Sequence, residues 1–360
     1  MILLVKRLQK KEDQQLLGFS YYLDHTLNED DKKYLQSMQQ HHFNEIFTSL
    51  HIPEDEPSQY ATRLQELLEF TNDLSLHVFV DIDKRSLKNL PHDLTGFSLR
   101  LDDGFTNQEI AQLSQDGPVA LNASTLSEQD ITELRDFKAN FKNLEAWHNF
   151  YPRPETGLDK NWFIQKNHWL KQLGLTTQAF IPGNQTLRGP IYSGLPTLEH
   201  QRQQDLLASA LELEKYGVDK IFIGDPRLDL TYQTKFNDYF TEGILDLCLK
   251  ASPNFPPYLI NKVLHNRPDP AAQVVRVVES RGMNALNKQT IEPLDNIPRN
   301  AGSITIDNQK YGRYMGEVQI IKTDLPMDEK VNVCGHLDQA SMQLLPYFSA
   351  NTAFRINYKE

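Results

Sequence analysis

The chain is poor in the residues that build disulfide scaffolds, zinc centres and membrane anchors. Its 360 residues include two cysteines, Cys248 and Cys334, far apart in sequence. That scarcity excludes a disulfide framework and a cysteine-built zinc site, and it suits a reducing compartment. No apolar run approaches the roughly 18 residues that a membrane-spanning helix needs, so no membrane partner is expected. Basic residues are the minority. The 37 Lys and Arg stand against 48 Asp and Glu, a formal net charge of −11, which argues against nucleic acid as a partner. The histidines show no metal-ligand spacing, and P-loop, Gly-x-Gly-x-x-Gly and Gly-x-Ser-x-Gly patterns are missing. Nucleotide-dependent and serine-hydrolase chemistry are therefore disfavoured, and no metal or cofactor is expected.

What is present describes a folded chain. An apolar fraction of 39% with 10% aromatic residues supports sizeable cores, and 24% charged residues is ordinary. At about 150 residues per domain the length predicts two or three domains. Charge is unevenly spread along the sequence. Residues 256–360 hold 12 Lys and Arg against 11 Asp and Glu, and residues 1–255 hold the other 25 and 37. Residues 1–16 read as a poorly ordered extension or a misassigned start. Met1–Val5 is apolar but shorter than the roughly 7–15 residues of a secretory core.

From Leu17 onward, short apolar runs alternate with helix-like stretches. The runs are Leu17–Leu23, Glu45–His51, Leu76–Asp83, Phe97–Asp102, Pro118–Asn122, Asn143–Trp147, Thr176–Ile181 and Lys220–Asp225. Helix patterns fall at 30–41, 60–74, 107–113, 126–137, 162–173 and 198–216, with a short connection at 87–96. Thr106 with Glu109, Thr125 with Glu128 and Thr197 with His200 have capping-box spacing. Gly174 and Gly217 sit where helices should stop. Eight repeats of strand and helix predict a (β/α)8 TIM barrel over 17–255, with a doubly wound sheet as the alternative. A helix over 238–250 is expected to complete the barrel. The proline-rich 252–257 marks a linker, and 256–360 reads as a small, mainly-β domain.

Strand phase locates the candidate site. Successive residues of a strand face opposite sides, so Ser98, Arg100 and Asp102 share one face, as do Gly18, Ser20 and Tyr22. Asp81 and Asp83 share another. With the apolar set packed on helices, this polar set points into the barrel. Asp24, His51, Asp81, Asp83, Arg100, Asp102, Asn122 and Asp225 crowd the C-terminal ends, the rim where such barrels do chemistry. Arg100-Leu101-Asp102-Asp103-Gly104-Phe105 sets a carboxylate beside an inward arginine; a structural ion pair with a capping aspartate is the alternative. His148-Asn149-Phe150-Tyr151-Pro152-Arg153-Pro154 is an aromatic, proline-stiffened loop suited to stacking on sugars and holding hydroxyls. Residues 183–196 form a long loop without acids that carries Arg188, a candidate phosphate ligand.

Together these segments resemble the bacterial 6-phospho-N-acetylmuramidase family. The resemblance rests on Leu17-Gly18-Phe19-Ser20, Phe47 to Asp55, Leu99 to Phe105, His148 to Pro154, Arg188-Gly189-Pro190 and Gly194 to Glu199, and it runs to the C-terminus. It implies a TIM barrel followed by a cyclophilin-like β domain. It also implies cytoplasmic hydrolysis of N-acetylmuramic acid 6-phosphate–N-acetylglucosamine during peptidoglycan recycling. Glycoside cleavage usually needs two carboxyl groups, and an N-acetyl sugar also permits acetamide assistance. The expected catalytic group is Asp102 with Asp225 or Glu54, then Asp81. The expected substrate contacts are Arg100, Ser20, His51, Asn122, His148, Asn149, Tyr151, Arg153 and Arg188. Arg267 and Arg313 are second-domain candidates for an anionic substrate, and a homodimer is carried as the assembly. A phosphosugar lyase or isomerase, or a non-catalytic carbohydrate binder, are the competing functions; the rim offers no inward lysine for a Schiff base.

Overall fold

Eight parallel strands close into a barrel in the computed structural model, which describes residues 16–50, 59–90, 96–250, 254–287 and 290–358. The strands are β1 (Leu16–Ser20), β2 (Phe43–Ser49), β3 (His77–Ile82), β4 (Phe97–Leu101), β5 (Val119–Asn122), β6 (Leu144–Trp147), β7 (Thr176–Ile181) and β8 (Lys220–Ile223). Each pairs with its sequence neighbour, and β8 closes on β1. The helices are α1 (Glu29–Gln40), α2 (Tyr60–Asp73), α3 (Asn107–Asp116), α4 (Glu128–Asp136), α5 (Lys160–Gln172) and α6 (Leu206–Lys215). Between β3 and β4 the described residues include a 3-10 turn, Ser86–Asn89. The predicted Thr106–Glu109 capping box is present. At α4 the box is instead Ser127 with Asp130. Thr197 caps no helix; its hydroxyl accepts from the Phe180 N–H at 2.8 Å and donates to the Asn149 carbonyl at 2.9 Å. Gly174 and Gly217 take φ values of 80° and 76° just past the ends of α5 and α6, a left-handed turn that glycine adopts without steric penalty.

The lumen departs from a simple polar-in pattern. Phe47, Phe79, Ala120, Trp147, Phe180 and Phe222 are buried together in its middle. Ring centroids lie 4.4 Å apart for Phe79–Trp147 and 4.8 Å for Trp147–Phe222, with each such pair worth about 0.5–1.5 kcal/mol beyond its buried area. Gly18 of β1 makes room for this layer: a Cβ there would sit 2.4 Å from the Phe222 ring. Below it, Lys220 donates to Glu45 at 2.8 Å and Glu145 at 2.9 Å, and Glu145 also accepts from the Trp147 indole at 2.7 Å. Polar residues thus fill both ends of the lumen, and aromatic rings separate them. Inward positions must be filled to interior density, and large rings do that where a ring of charges could not.

The chain divides into two units between Thr234 and Lys235, within α7 (Leu230–Asn237). The expected helix over 238–250 is a correction. Asp238–Glu242 is a single π-type turn, and Ile244–Lys250 is β9, a strand of the second unit's sheet. Leu245, Leu247 and Leu249 are buried and in phase, a period of two rather than 3.6. The second unit is a seven-stranded sheet in the order β10-β15-β9-β14-β12-β13-β11. Its other strands are β10 (Val263–His265), β11 (Val274–Arg276), β12 (Ser303–Asp307), β13 (Val318–Ile321), β14 (Val331–Leu337) and β15 (Ala353–Tyr358). α8 (Ser280–Asn287) and α9 (Gln339–Leu344) accompany the sheet. The N-terminal extension expected at 1–16 lies outside the described residues up to position 15.

Two stability predictions follow from buried charge. Lys220 is 4% exposed, so Lys220→Met leaves two carboxylates without their cation and destabilises the barrel by about 3–5 kcal/mol. Urea unfolding measures this, and adding Glu45→Gln and Glu145→Gln should recover part of the loss. In the second unit, burial and the nearby Glu317 and Asp328 carboxylates push Asp307 up to about 7. Native Asp307 therefore binds its proton more tightly than the unfolded chain does. Its contribution is full below the unfolded value of about 3.9 and is lost as pH rises through about 7. Lowering pH from about 8 to about 5.5 should stabilise wild type relative to Asp307→Asn, read as the difference between their melting curves.

Candidate active site

Arg100 organises the C-terminal rim. Its guanidinium is 4% exposed, and a charge so far from water must be paired. Nη1 donates to Asp81 Oδ1 at 2.6 Å and to Asp102 Oδ1 at 2.9 Å, and Nη2 donates to Asn149 Oδ1. Asn122 adds a second donor to Asp102 Oδ1 at 3.1 Å, while its own Oδ1 accepts from the Ser124 N–H at 3.0 Å. Four strands and their ends contribute: Asp81 from β3, Arg100 from β4 and Asp102 from just beyond it, Asn122 from β5, and Asn149 from just beyond β6. Asp81 is nearly closed off, with 5% of its side chain exposed, whereas Asp102 keeps 29%. Asp102 is the member of this cluster that a substrate can reach as a carboxylate. Because a guanidinium only donates, Asn149 must turn its oxygen to Arg100. Its Nδ2 makes no hydrogen bond among the described residues and is not sealed from solvent.

The floor and walls of the mouth come from the two long loops. Phe150 packs edge-on against Phe47 and Phe180, at 6.0 and 5.1 Å, and roofs the aromatic layer. Tyr151 hydrogen-bonds through its N–H to Pro196 at 2.9 Å, and its hydroxyl lies 3.4 Å from Ser124. Arg202 locks the loops together by donating to the carbonyls of Tyr151, Arg153, Ser193 and Gly194, and it pairs with Glu199 at 2.7 Å.

On the opposite side of the ring, four strands from β4, a cleft of about 550 Å³ opens between the ends of β1, β7 and β8. Arg188 stacks over the Tyr22 ring at 3.7 Å, and Arg227 stacks over Tyr34 at 4.4 Å while donating Nη2 to Asp31. Both arginines line the cleft. His25 joins them, with Nδ1 2.6 Å from Asp24 and Nε2 2.8 Å from Asp31; these carboxylates raise its pKa against the opposing pull of burial.

Other predicted residues have different surroundings. Asp225 is fully buried. Its Oδ2 accepts from the N–H groups of Gly183 and Leu195, both at 2.9 Å, and Oδ1 from that of Arg188 at 3.0 Å. Burial raises its pKa and the three donors oppose that rise. His148 follows the inward Trp147 and so turns outward, where it is buried against Phe163 with ring centroids 4.5 Å apart. Desolvation pushes its imidazole down to about 3, which leaves it neutral. Ser20 is fully buried. Arg153 is exposed, and its carbonyl accepts from Thr156 at 2.6 Å. Arg267 pairs with Asp269 at 2.8 Å, and Arg313 donates to Tyr314 at 3.0 Å, both within the second unit. His51 and Glu54 lie outside the described residues.

Fold and site define a TIM-barrel protein with a carboxylate–arginine cluster on one side of its mouth and an arginine-lined cleft on the other. Residues 17–238 match the family described as 6-phospho-N-acetylmuramidase, N-terminal, and residues 245–357 match its C-terminal counterpart. The chain belongs to the 6-phospho-N-acetylmuramidase family. No curated protein matches it. Among solved structures it is similar to a conserved Enterococcus faecalis protein of unknown function, with 37% identity over 96% of both chains and a TM-score of 0.87. It is also similar to an uncharacterised B. cereus protein, with 26% identity over 95% of this chain and 99% of that one, and a TM-score of 0.74.

Sequence reasoning reached Asp81, Arg100, Asp102, Asn122, Asn149 and Arg188, and it missed His25, Asp31 and Arg227. No spacing signal links Asp31 to Arg227, because the barrel's closure of β8 on β1 brings them together. Arg100→Met should destabilise the barrel by about 3–5 kcal/mol, the usual result of stripping one partner from a buried ion pair. In a double-mutant cycle by urea unfolding, Asp81→Asn should then have a much smaller effect than it has in wild type.

Proposed function

We propose that the chain hydrolyses the glycosidic bond of N-acetylmuramic acid 6-phosphate–N-acetylglucosamine, in the cytoplasm, during peptidoglycan recycling. Membership of a family named for this activity supports the substrate. The observation that carries the chemistry is Asp102, a part-exposed carboxylate held at the mouth by Arg100 and Asn122. Cleavage passes through an oxocarbenium-like state that a fixed negative charge stabilises. Asp102 Oδ1 accepts two N–H donors, which fix the carboxyl group in place. In this reading Asp102 acts as a carboxylate: it attacks the anomeric carbon, activates water, or steadies a substrate acetamide that does the attacking.

A second group must protonate the leaving oxygen. Asp225 is poorly suited, because its oxygens already accept three backbone N–H groups. Asp81 is little better, since its Oδ1 pairs with Arg100 and its side chain is nearly closed off. Glu54, outside the described residues, is the preferred acid among the predicted carboxylates. Phe150 offers an apolar face to a sugar ring, and Asn149 and Tyr151 offer polar groups to its substituents. A Schiff-base lyase finds less support: Lys220, an inward lysine, lies beneath the aromatic layer and pairs with two glutamates.

The test is release of free N-acetylglucosamine from the phosphorylated disaccharide by purified protein, with the unphosphorylated disaccharide as comparison. Asp102→Asn should lower kcat by about a hundredfold or more while leaving the melting temperature nearly unchanged. Near-normal turnover in that variant would remove Asp102 from the mechanism.

A further inference from the structure

We propose that Arg188 and Arg227 form a binding site for a phosphate monoester dianion, and that Asp225 and Asp31 are the positioning residues that aim them. The inference rests on the hydrolase reading only in identifying the natural ligand as a phosphosugar. Two arginines line one cleft, each with its guanidinium carbon over the face of a tyrosine ring. A guanidinium held over a ring face is restrained before a ligand arrives and loses little freedom on binding. Tyr22 is itself fixed, its hydroxyl donating to the Gly224 carbonyl at 2.6 Å. Arg227 uses Nη2 on Asp31, and no other donor of its guanidinium has a hydrogen-bond partner among the described residues. A phosphate ester presents several strong acceptor oxygens, which suits two forked donors.

The tethers differ, and each explains a buried carboxylate that the chemistry does not use. Asp31 is 1% exposed in its side chain and binds Arg227 directly, with His25 on its other oxygen at 2.8 Å. Asp225 acts through the main chain. Its carboxylate pins the 183–196 loop at Gly183, Arg188 and Leu195. The Arg188 N–H also marks the start of a tight turn, closed by the Tyr192 N–H on the Arg188 carbonyl at 3.1 Å. Opposing the cleft across the mouth stands Asp102, just beyond β4. A sugar held by its phosphate on the β1–β8 side extends over Phe150 toward that carboxylate.

The geometry makes one substitution selective. In Asp225→Asn, the remaining oxygen can keep Gly183 and Leu195 on Oδ2, and the new amide then faces the Arg188 N–H. That variant loses the tether to Arg188 while the rest of the loop is held. The experiment measures binding of N-acetylmuramic acid 6-phosphate and of N-acetylmuramic acid by titration calorimetry, and hydrolysis of both disaccharides. Wild type should prefer the phosphorylated ligand. Arg188→Met and Arg227→Met should each reduce that preference by about ten- to a hundredfold, the worth of a hydrogen bond to a charged group. Asp225→Asn should reduce it in the same direction, with KM affected more than kcat, and Arg227→Lys should restore part of the loss. Circular dichroism and thermal melting identify any variant that fails to fold, and the arginine variants carry the test if Asp225→Asn is one. Undiminished preference in folded Arg188→Met and Arg227→Met, or no preference in wild type, overturns the site. Preference without hydrolysis in wild type sinks the hydrolase reading and leaves the site standing; hydrolysis indifferent to both arginines does the reverse.

Discussion

Strand alternation admits one side chain in two to the lumen of an eight-stranded barrel, and every functional feature above depends on how those positions are filled. Here charge, aromatic ring and charge follow one another from bottom to top. Lys220 neutralises Glu45 and Glu145 below. The rings of Phe47, Phe79, Trp147, Phe180 and Phe222 exclude water from the middle. Arg100 then gathers Asp81, Asp102 and Asn149 above. An aromatic floor beneath Arg100 removes solvent on one side, which strengthens its ion pairs. Asp102, by contrast, keeps part of its side chain open to solvent.

Most of this barrel was legible from local rules. Turn residues and apolar runs located all eight strands, and the alternation Ser98-Leu99-Arg100-Leu101-Asp102 gave the correct inward phase. The same rule applied one step further assigns His148 outward, because Trp147 is large, apolar and inward. The sugar-loop composition obscured that signal. The expected helix over 238–250 overlooks that Leu245, Leu247 and Leu249 alternate with Asp246 and Cys248 in what folds as β9. The expectation of a helix after each strand outweighed the period. The aromatic layer is harder to see: Phe79 is in phase with the inward Asp81, but large apolar side chains read as helix-packing residues until the closed ring shows them filling the lumen.

The carboxylates show where sequence stops informing chemistry. Asp102 and Asp225 both end barrel strands, and nothing local separates them. Asp225 meets three backbone N–H groups from a loop that begins some forty residues earlier in the chain, so its charge is consumed in ordering that loop. Asp102 meets side-chain donors and retains contact with solvent. Main-chain donors leave no mark on composition or spacing, which is why a loop-organising acid and a part-exposed acid at the mouth read alike before folding.

Net charge poses the last question. An acidic chain is an unpromising host for a ligand bearing a phosphate and a carboxylate, since the field of the whole molecule opposes its approach. That field acts over a Debye length of about 8 Å at physiological salt, whereas a forked guanidinium acts at contact. The cleft answers the long-range repulsion with two arginines and a histidine within one pocket, each held by a carboxylate or an aromatic ring rather than left mobile. Their tethers contribute negative charge of their own at Asp24, Asp31 and Asp225. The acidic residues around the mouth are thus part of the anion site, because they fix the cations in place before the ligand arrives, and the ordering entropy is met in folding rather than in binding.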